Sequence, residues 1–379
     1  MGEFLRGGIS FRAETHCTLL CPVRGEALEL TPSEIALLAQ VPADRWIGKT
    51  EIHGQESAWA QLVELAKRGL VLADPPFDAW SDILPAEEAL EHTQWLDVAA
   101  VFHAHTRWQG MTGPIAEDKS DEAHMVRLER VREQRGDPPP HFFRRDDVIE
   151  RRALNVPVLE GPFYDALLAR KTTRAFRSQE PLPLRQLELV LYVVFGAHGL
   201  KEFAPGISAI RRTSPSGGAL HPVEAYVVSL NVDGLPSGLY HYESGSHALA
   251  LLEPLDSAAA RQCVCDFTAG QTYFADAHVV VIHVARFDRS HWKYAKHRKA
   301  YKLVLMDSAH LSQTFYLTAS HLGLGAFYTA AINDVDIGVR LCLDPIRAAA
   351  IAINGLGIAE TGRDDLHFMA EPYRPTGCA

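Results

Sequence analysis

The chain of 379 residues lacks several things, and each shortage removes a class of function. It is short of positive charge. With 37 Lys and Arg against 47 Asp and Glu, the formal net charge is −10 at pH 7, which argues against general binding to nucleic acid or to an anionic membrane. No apolar run approaches the roughly 20 residues needed to cross a bilayer. The start, Met1-Gly-Glu-Phe-Leu-Arg6, has no apolar core followed by a small-residue cleavage site, so no secretory signal is expected and a cytoplasmic protein is. The six cysteines, Cys17, Cys21, Cys263, Cys265, Cys342 and Cys378, form no C-x-x-C pair; reduced thiols are expected, and no zinc or other metal site. There is no G-x-x-x-x-G-K-[ST] loop and no G-x-G-x-x-G after a strand, so neither a P-loop nor a dinucleotide Rossmann site is expected.

What is present is an ordinary globular balance, 47% hydrophobic and 22% charged, on a chain long enough for one large core and a smaller one. Residues 1–75 read as a small domain. Short strands are expected at Ile9–Arg12, Thr18–Leu20 and Ala27–Leu30. Thr31-Pro-Ser-Glu34 then opens a helix, with a capping threonine, a proline at the first helical position and a glutamate three residues on. A second helix over Ser57–Arg68, Gly69, and a strand at Leu70–Leu72 complete the helix, helix, strand order of a winged helix. The second helix carries few cations for phosphates. Docking of an extended peptide on the edge of the small sheet is therefore expected in place of DNA binding; an appendage without a partner is the plain alternative. Residues 76–160 read as a helical connector, with helices over Glu87–Ala100 and Ser120–Arg135 and a break at Gly136-Asp-Pro-Pro-Pro140. His103-Ala-His105 has no third ligand nearby and reads as structural. Residues 161–379 form the main domain. Helices are expected over Phe163–Arg170, Leu184–Phe195 and Tyr301–Leu322. Strands are expected at Val223–Leu230, Gly238–Glu243, Ala248–Leu252, Ala277–Ala285, Phe327–Ile332 and Arg347–Ile353. The class is α+β, a mostly antiparallel sheet flanked by helices.

Two stretches carry candidate chemistry. Arg212-Thr-Ser-Pro-Ser-Gly-Gly-Ala-Leu-His-Pro222 is a tight polar loop feeding a buried strand. Its adjacent glycines let the backbone approach a flat or charged ligand, and Ser214 and Ser216 either donate to a ligand oxygen or cap the turn. Arg170-Lys-Thr-Thr-Arg174 has the chemistry of a phosphate clamp, a planar donor fork beside short hydroxyl donors; a solvated basic helix end explains the same residues.

Taken in order, Arg170-Lys-Thr-Thr-Arg-Ala-Phe176, Pro215-Ser-Gly-Gly-Ala-Leu-His-Pro222, Lys293-Tyr294 with Tyr301, and Gln313 with Leu322-Gly-Leu-Gly325 resemble the nitroreductase superfamily. Order and spacing most resemble the SagB-type dehydrogenases, the azoline oxidases of peptide maturation, over roughly residues 160–375. The resemblance implies a nitroreductase-like FMN-binding fold with a small N-terminal winged-helix domain. It implies a homodimer with FMN at the interface, acting on a precursor peptide beside other peptide-maturation enzymes. Arg170, Lys171, Thr172 and Arg174 would hold the phosphate and ribityl chain. Pro215, Ser216 and Gly217 would line the isoalloxazine from the partner subunit. Gln313 belongs to the same motif set, Ala330 and Ala331 would approach the flavin, and Arg374 would meet the phosphate. Lys293 and Tyr294 match the pair assigned to proton transfer. A buried, desolvated lysine sheds its proton more readily, as a base for azoline dehydrogenation must; one more cation in a basic surface run is the plain alternative.

Three positions depart from the pattern: Lys302 where Arg is frequent, Thr314 where Asn is, and Ala330-Ala331 where a glycine is usual. Two other functions stay open. One is an NAD(P)H-dependent reductase of a small nitro, quinone or dehydroamino-acid substrate; the other is a winged-helix binding protein without catalysis.

Overall fold

The computed structural model describes residues 17–360 except 24, 43–44, 54, 72, 75–82, 113–120, 141, 143–144, 153 and 156. The chain forms two compact units, neither continuous in sequence. The first takes the described residues of Met1–Arg107 together with Phe287–Tyr301 and Asp344–Ala348. The second takes those of Trp108–Arg286, Lys302–Leu343 and Ala349–Ala379.

The first unit opens with the antiparallel hairpin β1 (Cys17–Cys21) and β2 (Glu26–Leu30); the strand expected at Ile9–Arg12 lies outside the described residues. Helix α1 (Pro32–Leu38) starts at the reciprocal cap foreseen for it. Glu34 N–H donates to Thr31 Oγ1 at 3.3 Å, and Thr31 N–H donates to the Glu34 carboxylate at 2.7 Å. Helix α2 (Gln55–Lys67) ends in a Schellman turn, Gly69 N–H to Ala66 C=O and Leu70 N–H to Leu65 C=O, both at 2.9 Å. Leu30, Leu37, Ile52, Leu62 and Leu65 make the small core between them. The expected wing strand does not follow: Leu70 and Val71 form a bend, and Leu72 is outside the described residues. The single helix expected over Glu87–Ala100 is two, α3 (Ile83–Thr93) and α4 (Asp97–His105). Gln94 breaks it by taking a left-handed φ of 56°.

The chain then enters the second unit. Helix α5 (Asp121–Arg135) is followed in the chain by α6 (Pro162–Ala169) and the apolar α7 (Leu184–Phe195). A hairpin that the sequence reading omits follows, β3 (Gly199–Ala204) with β4 (Ile207–Arg211). Next come β5 (Val223–Ser229), β6 (Gly238–Glu243), β7 (Ala248–Pro254), the unforeseen helix α8 (Ser257–Phe267) and β8 (Val279–Arg286). The short helix α9 (Phe287–Lys293) belongs to the first unit. Then come the long helix α10 (Ala300–His321), β9 (Gly325–Thr329), α11 (Asp334–Arg340) and β10 (Ala348–Gly357).

Six strands form the main sheet in the order β7-β6-β5-β8-β10-β9. The β5–β6, β5–β8, β6–β7 and β9–β10 pairs are antiparallel. The central strand β8 is buried on both faces, and Val279 to Ile282 are fully buried. On α10, Phe315 and Ala319 are buried but Leu305 and Ala309 are exposed. The inward stripe runs instead through Val304, Ser308, Leu311, Ser312 and Phe315. Its two serines bond to buried polar groups of the sheet: Ser308 Oγ lies 2.9 Å from His283 Nδ1, and Asn354 Nδ2 donates to Ser312 Oγ at 3.1 Å.

In the first unit Trp95 packs against Phe287 and His291 with ring centroids at 4.7 and 4.6 Å and stacks on His103 at 5.4 Å. Its indole N–H donates to Ile346 C=O at 2.8 Å. Burial lowers the imidazoles of His103 to about 3 and His291 to about 4, so both are neutral.

Candidate functional site

The second unit gathers most of the residues singled out in the sequence onto two segments. One is bonded through its main chain to the region of β9 and β10 and touches α10 through side chains; the other is fastened to α10 itself.

The first segment is Arg170–Arg177. Its main chain is stitched beside the sheet. Thr173 N–H donates to Ala326 C=O at 2.7 Å, Arg177 N–H to Ile358 C=O at 2.9 Å, and Glu360 N–H to Ala175 C=O at 3.0 Å. The approach at β9 depends on Gly325, where a Cβ would lie 2.6 Å from Thr173 Cγ2. So fixed, Arg170 and Thr172 meet one aromatic ring on α10. The Arg170 guanidinium lies 5.5 Å from the Tyr316 ring centroid, and Thr172 Oγ1 is 3.1 Å from the Tyr316 hydroxyl. Arg170, Thr172 and Arg174 are half-buried and Lys171 is exposed. A planar cation, a hydroxyl pair and neighbouring cations form a donor set suited to a phosphate.

The second segment is the loop Ser214–His221. Here the main chain takes an unusual course, with φ of 66° at Gly218, 57° at Ala219 and 46° at His221. Side chains hold it. Ser214 Oγ lies 2.7 Å from Thr314 Oγ1 and 3.3 Å from His310 C=O, to which it donates. Ser216 Oγ donates to Asp307 Oδ2 at 2.5 Å, Gly217 N–H donates to Asp307 Oδ1 at 3.3 Å, and His221 N–H donates to Ser216 Oγ at 2.9 Å. The loop lies close on α10, where a Cβ at Gly217 would meet Leu303 Cδ1 at 3.4 Å. Pro215 is exposed and Gly217 half-buried, so a proline ring and main chain are what the loop offers outward. Burial raises the Asp307 carboxyl above the usual range, against the Ser216 and Gly217 bonds and the charges of His310 and Arg212.

Other expected residues are placed differently. Gln313 is exposed on α10, while its neighbour Thr314 is half-buried against the loop. Ala330 is exposed. Ala331 donates its N–H to Thr329 Oγ1 at 3.1 Å and accepts from Gln271 Nε2 at 3.3 Å. Arg374 lies outside the described residues. Lys293 and Tyr294 belong to the first unit, at the end of α9, with Lys293 Nζ 5.7 Å from the Tyr294 ring centroid. The burial expected for the lysine is not found: Lys293 is exposed in this chain, because the buried side of α9 is that of Phe287, Ser290 and His291.

Asp307 and Tyr316 were missed in the sequence. The available signal was a carboxylate and a tyrosine hydroxyl on the flank of an apolar helix, since buried polar groups need partners. Among the described residues, no group of three or more His, Cys, Asp or Glu could hold a metal ion. No described helix is long and apolar enough to cross a membrane.

Residues 167–357 match the nitroreductase family. A Methanocaldococcus jannaschii protein bearing a nitroreductase name is 30% identical over 46% of this chain and 80% of its own length. The microcin B17-processing protein McbC of Escherichia coli is 25% identical over 48% of this chain and 64% of its own, just under two thirds. Among solved structures, a chain of the E. coli microcin synthetase McbBCD complex with truncated pro-MccB17 bound is similar in fold. Its TM-score is 0.51 at 20% identity, covering 71% of this chain and 95% of that one.

Proposed function

From the premise that the chain belongs to the nitroreductase family, we propose that it is an FMN-dependent dehydrogenase that matures a ribosomally made peptide by oxidising thiazoline or oxazoline rings to azoles. The observation that carries the flavin is the convergence of Arg170 and Thr172 on Tyr316. That donor set fits the phosphate of FMN, and a loop offering main chain and a proline ring fits a flat ring system. Arg170, Lys171, Thr172 and Arg174 bind the phosphate and ribityl chain; Pro215, Ser216 and Gly217 form the wall; Gln313, Ala330, Ala331 and Arg374 complete the contacts. Bound FMN supplies a two-electron acceptor.

The protein's own part is proton transfer and placement. Lys293 Nζ takes the proton from the ring carbon, and Tyr294 orients or relays it. Because Lys293 is exposed in this chain, the cover that excludes water from it comes from the bound peptide or a second copy. A homodimer with the flavin at its interface is part of the reading, supported by Leu305 and Met306, which are exposed on α10. The relative named for microcin B17 processing supports a peptide substrate and work beside other maturation enzymes. The β1–β2 hairpin is the docking edge for that peptide, with Leu19 and Leu20 exposed on β1.

The exposure of Lys293 also favours a second reading, in which the same site reduces a small electrophile with NAD(P)H and needs no lysine base. Mass spectrometry of an azoline-bearing peptide separates the two. The first reading expects loss of a pair of hydrogens per ring, abolished by Lys293→Ala with FMN still bound. NAD(P)H-driven turnover of a quinone that is unaffected by Lys293→Ala, with no change in the peptide mass, refutes it.

A further inference from the structure

Asp307 is a buried carboxylate on α10, 91 residues from the hydroxyl it accepts from. Both of its oxygens serve one short stretch. Oδ2 takes the Ser216 hydroxyl proton and Oδ1 takes the Gly217 amide. On its other side, Ser216 Oγ accepts the His221 amide. Residues 216 and 221 bracket the left-handed Gly218, Ala219 and His221, and two of those three are not glycine, so the course of the loop is strained and must be imposed from outside. The Ser216 hydroxyl has one proton, and it points into α10. Ser214 is likewise turned toward His310 C=O and Thr314. Neither serine therefore offers its proton to a ligand.

We propose that Asp307 is the positioning residue that latches the loop Ser214–His221 in its left-handed course, with the Ser216 hydroxyl as the group it holds. That the latched loop faces a flavin rests on the function proposed above; the latch itself does not. Two donors meeting on one carboxylate need both oxygens as acceptors. An asparagine keeps the volume but only one acceptor, and an alanine keeps neither.

The test uses the full chain as Asp307→Ala, Asp307→Asn, Ser216→Ala and the Asp307→Ala/Ser216→Ala double variant. Two quantities are read: amide hydrogen exchange at residues 216–221 without ligand, and the FMN dissociation constant from quenching of flavin fluorescence. The latch predicts exchange at 216–221 at least about tenfold faster in Asp307→Ala, with β5 and β8 as protected as before. Asp307→Asn falls between, and Ser216→Ala has the smaller effect. The double variant falls short of the sum of the two single effects, because the Ser216–Asp307 bond is lost in each of them. The FMN dissociation constant rises about tenfold in parallel, equivalent to about 1.4 kcal/mol. Unchanged exchange at 216–221 in a folded Asp307→Ala, or full additivity of the two single variants, overturns the latch. Faster exchange with unaltered FMN affinity keeps the latch and removes the flavin from this loop. Asp307→Asn carries the test if Asp307→Ala does not fold.

Discussion

The two segments fastened to the second unit's frame are held in opposite ways. Arg170–Arg177 is held by its main chain, bonded to Ala326, Ile358 and Glu360. Thr173 and Phe176 are buried beneath it, while Arg170, Lys171, Thr172 and Arg174 remain half-buried or exposed, so these four can be selected for a ligand. Ser214–His221 is held by side chains, through Asp307, His310 C=O and Thr314. There it is the backbone that is left to meet something else. A protein that binds a charged phosphate and a flat ring needs both arrangements: long donors for the first and close approach of bare main chain for the second.

The sharpest way to break this contrast is to delete the outward side chains of the segment that its main chain holds. Arg170→Ala with Arg174→Ala removes two cationic donors, each hydrogen bond to a charged group being worth about 1.5–3 kcal/mol. FMN affinity falls by roughly two to four orders of magnitude, while the melting temperature stays within a few degrees of wild type. Titration of the apo-protein with FMN and a thermal melt check both, and a collapse of the fold would show that the main chain is not what holds this segment. A smaller effect follows from attacking the main-chain approach itself. Gly325→Ala sets a Cβ 2.6 Å from Thr173 Cγ2; because Thr173 is buried and short, the segment must shift. Stability falls by about 1–3 kcal/mol and FMN affinity falls with it, while exchange at 216–221 is unchanged.

The most gradual effect comes from acid, since main-chain bonds do not titrate and the polar attachment of α10 does. His283 is fully buried and held neutral, its imidazole lowered to about 3 from an ordinary 6.5. The unfolded chain therefore binds a proton that the folded one refuses between about pH 6.5 and 3. Its contribution is intact above pH 6.5 and is lost as pH falls, by about 1.4 kcal/mol per unit. His283→Gln, which keeps a polar group near Ser308, should flatten the acid limb of a denaturation series by that slope. An unchanged slope would mean that His283 is protonated in the folded protein.

Local signals made much of this fold legible. The capping box at Thr31 and Glu34, the run of α7 ended by Gly196, and the stop of α10 at Gly323 are each written within a few neighbouring residues. Helix α8 escaped although Asp256 caps it locally; the rest of what escaped has little local signal. Gln94 ends α3 without a glycine or proline. The β3–β4 hairpin is exposed along most of its length, so little apolar alternation marks it. Within the candidate site the cations and the glycine loop were legible as motifs, but their anchors were not. Asp307 and Tyr316 matter through partners 91 and 144 residues away. The burial expected of Lys293 failed for a related reason: which side of a seven-residue helix faces inward is decided by distant packing, here by Trp95.

That Trp95 cluster has a consequence for modularity. Trp95 and His103 come from the N-terminal part of the chain, Phe287, His291 and Tyr301 from a stretch nearly two hundred residues later, and Ile346 from a third. A unit assembled from three separate passes of the chain cannot be exchanged at one junction. Grafting a new recognition module onto this protein, in the laboratory or by recombination, would have to transplant all three passes together. Otherwise the helix bearing Lys293 would be left with an incomplete core.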